Sequence, residues 1–147
     1  MAQSYTALFY HIVFSTKDRV PVLSPEIQQR LYPYIGGIIR NDIGTSIAIG
    51  GMPDHVHVLC TAKSDIAPSK IAQLIKGNSS KWMNETFSFP GRFEWQSGYG
   101  GFTVSLSLVE KVKGYILNQL EHHRKLTFME EWELFMREHE RFFKSLK

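Results

Sequence analysis

Hydrophobic positions along this chain follow two periods, one of two residues and one of three to four. Runs of β-branched and aromatic residues predict strands, and isoleucine or leucine at helical spacing predicts helices. Ser24 followed by Pro25 suits a helix start, and Ser107 with Glu110 is a capping-box pair. The predicted elements are, in order, strand 5–14, helix 25–40, strands 43–49 and 55–62, helix 67–82, strand 102–105, helix 107–120 and an amphipathic helix from residue 127.

The order of these elements predicts the fold class. Strand–helix–strand–strand–helix–strand is the split βαβ pattern of ferredoxin-like domains, an α+β architecture. We therefore expect an antiparallel sheet with helices on one face, similar to RNA-recognition domains, followed by C-terminal helices. The glycines and proline of residues 50–53 predict the turn of a hairpin between the second and third strands. Because no linker or repeat divides the 147 residues, we expect one domain over residues 1–147.

Composition and charge narrow the partners and the compartment. The net charge of +3 is compatible with a nucleic-acid partner but does not require one. Cys60 is the single cysteine, so an internal disulfide and a thiolate metal cluster are excluded. The chain has no apolar run of membrane-spanning length and no signal-peptide layout at its N-terminus. We therefore expect a cytoplasmic protein that does not bind a membrane.

Two histidines one residue apart, His55 and His57, lie in an apolar run that is predicted to be a strand. Alternate side chains of a strand share a face, so these two imidazoles point the same way, about 7 Å apart. At that separation two imidazoles can converge on one metal ion. The alternative is a half-exposed strand that contains two histidines by chance.

Tyr115 and Gln119 lie four residues apart on a predicted helix, so they share a face, and His122 follows three residues later. An amide oxygen from Gln119 would complete a set of ligands with the two histidines. Mixed nitrogen and oxygen ligands suit Mg²⁺ or Mn²⁺ acting on a phosphate better than a closed structural zinc site. Tyr115 is then a candidate covalent nucleophile, and the alternative is a half-buried core tyrosine.

Basic and small polar residues in two segments are candidate DNA contacts. Lys17 and Arg19 follow the first strand, and Lys76, Ser79 and Ser80 lie within the second predicted helix. Lysine and arginine neutralise phosphates, and small hydroxyl side chains allow a phosphate to approach closely. The alternative is ordinary surface polarity.

The remaining histidines are predicted to have structural or surface roles. His11, on the first strand, is expected to be a hydrogen-bonded structural residue, close to the histidine pair if the strands are neighbours. His122 and His123 are expected to be caps or surface residues at a helix end. His139 lies among charged residues and is predicted to be on a solvated face.

Five segments of the chain together resemble a known family, the single-tyrosine HUH transposases, which include the REP-associated tyrosine transposases. They are YHIVFSTK at 10–17, PDHVHVL at 53–59, LIKGNSS at 74–80, WQSGYGGFTVS at 95–105, and YILNQ at 115–119 followed by His122 and His123. The segments occur in family order and cover nearly the whole chain. Relatives often have alanine at the position of Gly101, and the stretch from Thr127 is less characteristic.

The resemblance implies a role for each residue of the predicted site. His55 and His57 would be the histidine–hydrophobe–histidine motif that binds a divalent metal, Mg²⁺ or Mn²⁺, and Gln119 would be its third ligand. Tyr115 would attack the scissile phosphate, become joined to the 5′ phosphate and release a 3′ hydroxyl. Such a transposase acts on single-stranded DNA with hairpins near the ends of insertion sequences. Family members are dimers, and in many of them the histidine pair of one subunit works with the tyrosine helix of the other.

Other functions are compatible with parts of the pattern. A ferredoxin-like sheet can bind single strands without catalysis, although its strands here lack the aromatic pattern of RNA-recognition domains. A domesticated protein that binds hairpins and nicks DNA without mobility is a further alternative. A small zinc hydrolase is disfavoured because the sequence indicates no third strong ligand and no carboxylate base beside the histidine pair.

Overall fold

The structure, a computed structural model, describes residues 3–119 and 127–139 of the chain. These residues form an α+β fold, and its strands and helices occur in the predicted order. The elements are β1 (Phe9–Ser15), α1 (Pro25–Asp42), β2 (Ser46–Met52), β3 (His55–Thr61), α2 (Pro68–Thr86), β4 (Gly100–Val104), α3 (Val109–Leu117) and α4 (Phe128–Glu138). Within the described ranges, no helix combines the length and the apolar character needed to cross a bilayer.

The four strands form one sheet in the order β2-β3-β1-β4, and each neighbouring pair is antiparallel. This is the strand order that the split βαβ pattern produces, so the predicted fold class is confirmed. β1 and β3 are the two central strands, and Val13 lies opposite His57 in their register. The centre of the sheet therefore carries the histidine pair.

The two faces of the sheet are covered by different helices. The larger core lies on the face of α1 and α2, where Ile12 and Val56 from the strands pack with Ile35 and Ile75 from the helices. Burying each such side chain stabilises the fold by about 1.5–3 kcal/mol. On the opposite face a smaller cluster joins Leu59 of β3 to α3. Because side chains alternate along β3, its two histidines belong to this second face.

β2 differs from its prediction because two of its glycines belong to the strand. The sequence predicted a strand over 43–49 and a turn from residue 50, whereas Gly50 and Gly51 are paired with β3. A Cβ atom on Gly50 would lie 2.3 Å from the Ile116 carbonyl oxygen. The glycine is therefore required where the backbone of α3 approaches the sheet, and it does not mark a turn.

Two helix ends also differ from their predictions. The capping box of Ser107 and Glu110 does not form, because a 3₁₀ turn over Leu106–Leu108 precedes α3 and no side chain caps the helix. The predicted start of the final helix is confirmed, since Thr127 Oγ1 accepts a hydrogen bond of 3.2 Å from the Glu130 amide. The predictions for His122 and His123 fall outside the described residues.

Candidate active site

The histidine pair lies at the centre of the second face. His55 and His57 are both 0 % exposed, and their ring centroids are 5.2 Å apart. The prediction that the two side chains share a face is therefore confirmed. The sequence did not predict their full burial. The two rings are buried because α3 and α4 cover this face of the sheet. Two imidazoles buried together require polar partners, since an unpaired buried polar group is costly.

One nitrogen of each imidazole is held by a side chain from the sheet or from its hairpin turn. His55 Nδ1 lies 2.7 Å from Asp54 Oδ1, and His57 Nδ1 lies 2.8 Å from His11 Nε2. Asp54 lies in the turn between β2 and β3, and its carboxylate reaches the His55 ring. These bonds orient both rings so that their Nε2 atoms face the same space, as outer partners of metal-binding histidines do.

His11 fills the structural role predicted for it beside the pair. Burial and the charge of His57 lower the pKa of His11 to about 3, against an opposing effect of Glu131. The ring is therefore neutral at physiological pH, and it can exchange one hydrogen bond with His57 without adding charge. His139, which was predicted to be solvated, is instead half-buried and packs on Phe102 at 4.8 Å between ring centroids.

Tyr115 and Gln119 reach the same site from α3 and the residues that follow it. Gln119 is 2 % exposed, and its Oε1 lies 3.1 Å from His55 Nε2. The rings of Tyr115 and His57 meet edge to face, with centroids 5.6 Å apart. The shared face predicted from their spacing is therefore directed at the histidines.

Glu131, on α4, is the residue that the sequence reasoning missed. It is 2 % exposed, and its Oε1 lies 2.8 Å from His57 Nε2 and 3.7 Å from His55 Nε2. The expectation that no carboxylate lies beside the histidine pair was wrong. A signal was present in the sequence: Glu131 comes three residues after one phenylalanine of the predicted amphipathic helix, Phe128, and four residues before another, Phe135. A glutamate in that stripe needs a buried partner.

Charges around Glu131 determine the protonation of the site. Burial would raise the pKa of Glu131, but the hydrogen bond and charge of His57, a hydrogen bond from Tyr115 and the charge of His55 lower it to about 2. The carboxylate is therefore ionised at neutral pH. Burial, the hydrogen bond to Glu131 and its negative charge raise the pKa of Tyr115, outweighing a hydrogen bond from Gln119. The phenol is therefore protonated at rest.

Two glycines allow the helices to bring these groups together. Gly50 in β2 accommodates the backbone of α3, as described above. In β4, a Cβ atom on Gly100 would lie 2.7 Å from Trp132, the neighbour of Glu131 on α4. The close approach of α4 to this strand therefore depends on the absence of a side chain at Gly100. This approach places Glu131 over the centre of the sheet.

The arrangement is suited to a divalent cation. One donor atom from each of His55, His57 and Glu131 lies within 4.8 Å of the other two. The Gln119 amide oxygen, bonded to His55, adds a fourth donor. Two imidazoles with two oxygen donors are ligands that Mg²⁺, Mn²⁺ and similar ions accept. The donor set therefore fits the metal that the sequence predicted, with a carboxylate in addition.

The predicted DNA contacts in α2 are largely occupied within the fold. Ser79 is 0 % exposed and accepts a hydrogen bond of 3.0 Å from the Trp95 indole. Its role is therefore structural, and the predicted contact with phosphate was wrong. Lys76 Nζ donates to the Gln96 and Gly98 carbonyl oxygens at 2.7 and 2.8 Å, which anchors that loop. Burial lowers the pKa of Lys76. Ser80 is half-buried, and its hydroxyl donates to its own helix.

Lys17 and Arg19 remain at the surface. Lys17 Nζ lies 2.9 Å from Glu94 Oε2 in an exposed ion pair, and the Arg19 guanidinium contacts Met129 of α4. An exposed ion pair contributes only about 0–1 kcal/mol, so a phosphate can displace it. DNA binding by these two residues stays a prediction.

The segment that supplies the histidines, Tyr115 and Gln119 also matches a known family. Residues 4–119 match the family model described as transposase IS200-like. The chain belongs to this transposase family. The assignment to the single-tyrosine HUH transposases, made from sequence motifs, is thereby confirmed. Glu131 lies beyond the matched residues of this IS200-like transposase, which is a further reason why family motifs did not point to it.

Individual relatives agree with this assignment. The transposase is 28 % identical to the ISDra2 transposase TnpA of Deinococcus radiodurans over 117 residues, 76 % of this chain and 84 % of that protein. A crystal structure from Deinococcus radiodurans R1, described as a transposase, matches with a TM-score of 0.65 and 28 % identity over 81 % of this chain and 96 % of that one. A REP-associated tyrosine transposase bound to a REP hairpin shares the fold, with a TM-score of 0.58 and 16 % identity over 83 % and 74 % of the two chains.

Proposed function

We propose that this transposase cleaves and rejoins single-stranded DNA through a covalent 5′-phosphotyrosine at Tyr115. The observation that carries the proposal is the meeting of Tyr115 with the buried histidine pair, at 5.6 Å between the Tyr115 and His57 rings. Tyr115 comes from α3 and the histidines from β3, so only the folded chain unites them. A core tyrosine without a function would not need two buried imidazoles, a buried carboxylate and a buried amide around it.

His55, His57, Gln119 and Glu131 would hold the divalent cation, Mg²⁺ or Mn²⁺. The bound cation polarises a phosphate and stabilises the charge that develops on it. The protein contributes orientation, because Asp54 and His11 fix the two rings from outside. Burial of the four donors also keeps water from competing for them. The predicted ligand set of two histidines and Gln119 is thus extended by one carboxylate.

Tyr115 would act as the nucleophile in an in-line displacement. Its hydroxyl oxygen forms a bond to the scissile phosphorus, and the bond from phosphorus to the 3′ oxygen breaks. The phenol gives up its proton and the leaving 3′ oxygen gains one, so that the products are a 5′-phosphotyrosine and a 3′ hydroxyl. The phosphotyrosine keeps the energy of the phosphodiester, so a 3′ hydroxyl can reverse the reaction or rejoin a different strand without ATP.

Hairpin-bearing DNA is the substrate that we propose. The REP-associated relative was solved with a REP hairpin, and it shares this fold. The exposed Lys17 and Arg19 would contact phosphates of such DNA, with a contribution from Lys76 if its loop contacts are exchanged. Insertion-sequence ends with imperfect hairpins, predicted from the family resemblance, are the natural candidates.

Mapping of the covalent adduct tests the proposed function. The protein is incubated with Mg²⁺ or Mn²⁺ and single-stranded oligonucleotides that cover both strands of the DNA flanking its gene. We expect an adduct that survives denaturation, with nucleotides attached to the peptide that contains Tyr115. DNA labelled at its 3′ end should stay with the protein, whereas DNA labelled at its 5′ end should be released with a 3′ hydroxyl.

The same experiment separates the alternatives. A chelator should prevent the adduct, because the cation is required for cleavage. An adduct on another residue, or retention of the 5′ label, would overturn the assigned chemistry. Hairpin binding without any adduct on all flanking strands would instead favour the non-catalytic or domesticated hairpin-binding module.

We propose a homodimer in which each active site is assembled within one subunit. The resemblance implied sites shared between subunits, whereas the described chain brings Tyr115 to its own His57. We therefore expect mixed Tyr115→Phe and His57→Ala subunits to remain inactive after subunit exchange, and sedimentation analysis to detect a dimer. Adduct formation by the mixture would establish shared sites, and a monomer at all concentrations would remove the dimer.

A further inference from the structure

A cleft of about 390 Å³ opens beside Tyr115, between α3 and α4. Tyr115 and Glu131 of the candidate site form part of its lining, and Lys111 and Glu138 line it as well. Its volume lies within the usual range for ligand pockets, about 300–1,000 Å³. The cleft is therefore large enough to admit a ligand beside Tyr115, and single-stranded DNA is the ligand that the proposed function supplies.

Lys111 is well placed to hold such a strand. It lies four residues before Tyr115 on α3, so the two side chains share a face and are about 6 Å apart along the helix axis. Lys111 is exposed, and no described residue forms a hydrogen bond or an ion pair with it. Among the described residues that line the cleft, it is the one lysine or arginine.

The charged residues that line the cleft are mainly acidic. Glu131 and Glu138 both line it, and two carboxylates oppose the approach of an anionic phosphodiester. A cation bound at the histidines offsets Glu131 but not Glu138, which lies two turns further along α4. Lys111 supplies the opposite charge on the facing helix.

We propose that Lys111 binds a backbone phosphate of single-stranded DNA in this cleft, next to the scissile one, and so positions the scissile phosphate for Tyr115. The inference rests on the proposed function. Lys111 would be a positioning residue, since it contacts a neighbouring phosphate and not the reacting atoms. A lysine ammonium suits this task because its three donors can follow a phosphate whose orientation changes during strand exchange.

Lys111→Ala is compared with Lys113→Ala, a matched control. Lys113 lies on the same helix but two residues away, so it faces away from the cleft. We expect Lys111→Ala to lower the rate of adduct formation at saturating DNA by about tenfold, the usual scale for one charge-assisted contact. Lys113→Ala should differ from the unsubstituted protein by less than about twofold. Lys111→Arg should restore most of the rate.

Neutral methylphosphonates, placed one at a time beside the cleavage site, identify the phosphate. One position should slow the unsubstituted protein by about tenfold and cause no further loss in Lys111→Ala, because the partner is already missing. Equal rates for the two lysine variants, or additive losses at every position, would overturn the inference. Affinity for each oligonucleotide is measured in parallel. Adduct formation by the unsubstituted protein tests the proposed function separately, so the two can fail independently.

Discussion

Tyr115→Phe is expected to abolish covalent protein–DNA adducts and strand cleavage while leaving hairpin binding nearly unchanged. The substitution removes one oxygen, the proposed nucleophile, and keeps the ring that packs edge to face with His57 and His11. Loss of a covalent nucleophile lowers rates on the order of 10⁴-fold or more. The lost hydrogen bond to Glu131 should cost only about 1 kcal/mol of stability. Denaturing gels for adducts and fluorescence anisotropy for hairpin affinity measure the two effects.

Tyr99→Phe is the control for this substitution. It makes the same chemical change at a tyrosine that is 39 % exposed, and it keeps an aromatic ring that can stack on an unpaired base. We expect normal adduct formation from this variant. Adducts that are undiminished in Tyr115→Phe would remove Tyr115 as the nucleophile. Equal loss in both variants would show that phenol hydroxyls act through DNA binding and not through covalent chemistry.

Glu131→Gln is expected to weaken Mn²⁺ binding by at least about tenfold in the absence of DNA. The substitution keeps the size of the side chain and removes the negative charge 2.8 Å from His57 Nε2. Changes to the outer partners of metal ligands alone lower metal affinity by about 10–100-fold, so loss of a charged ligand should do at least as much. Titration calorimetry with Mn²⁺ measures this directly, and cleavage should then require a higher Mn²⁺ concentration.

Glu133→Gln provides the matched control on the same helix. Glu133 is exposed and lies two residues from Glu131, so its side chain faces away from the histidines. Its substitution should leave Mn²⁺ affinity within about twofold. If Glu131→Gln binds Mn²⁺ as tightly as Glu133→Gln, the cation is held by His55, His57 and Gln119 alone. The role of α4 would then be to cover the site.

Local patterns in the sequence were sufficient for the order of the elements and for half of the site. The alternation of His55 and His57 depends only on the geometry of one strand, and the spacing of Tyr115 and Gln119 only on the geometry of a helix. Each pair shares a face whatever the strand or the helix packs against. The family motifs then indicated that the histidine pair and the tyrosine helix form one site. Neither the strand pattern nor the helix pattern alone predicts that contact.

Tertiary packing decided what the local patterns left open. Glu131 reaches His57 because Gly100 leaves room for α4 beside the sheet, and Gly50, paired with β3, leaves room for the backbone of α3. Ser79 is a small hydroxyl residue of the kind expected at a phosphate contact, but in the folded protein it is buried and bonded to Trp95. The sequence by itself determined the order of the elements along the chain, the shared face of the histidine pair and the shared face of Tyr115 and Gln119, because each depends only on residues that are close together in the chain. The carboxylate, the closed site and the cleft at Lys111 depend on contacts between distant segments, which only the folded structure specifies.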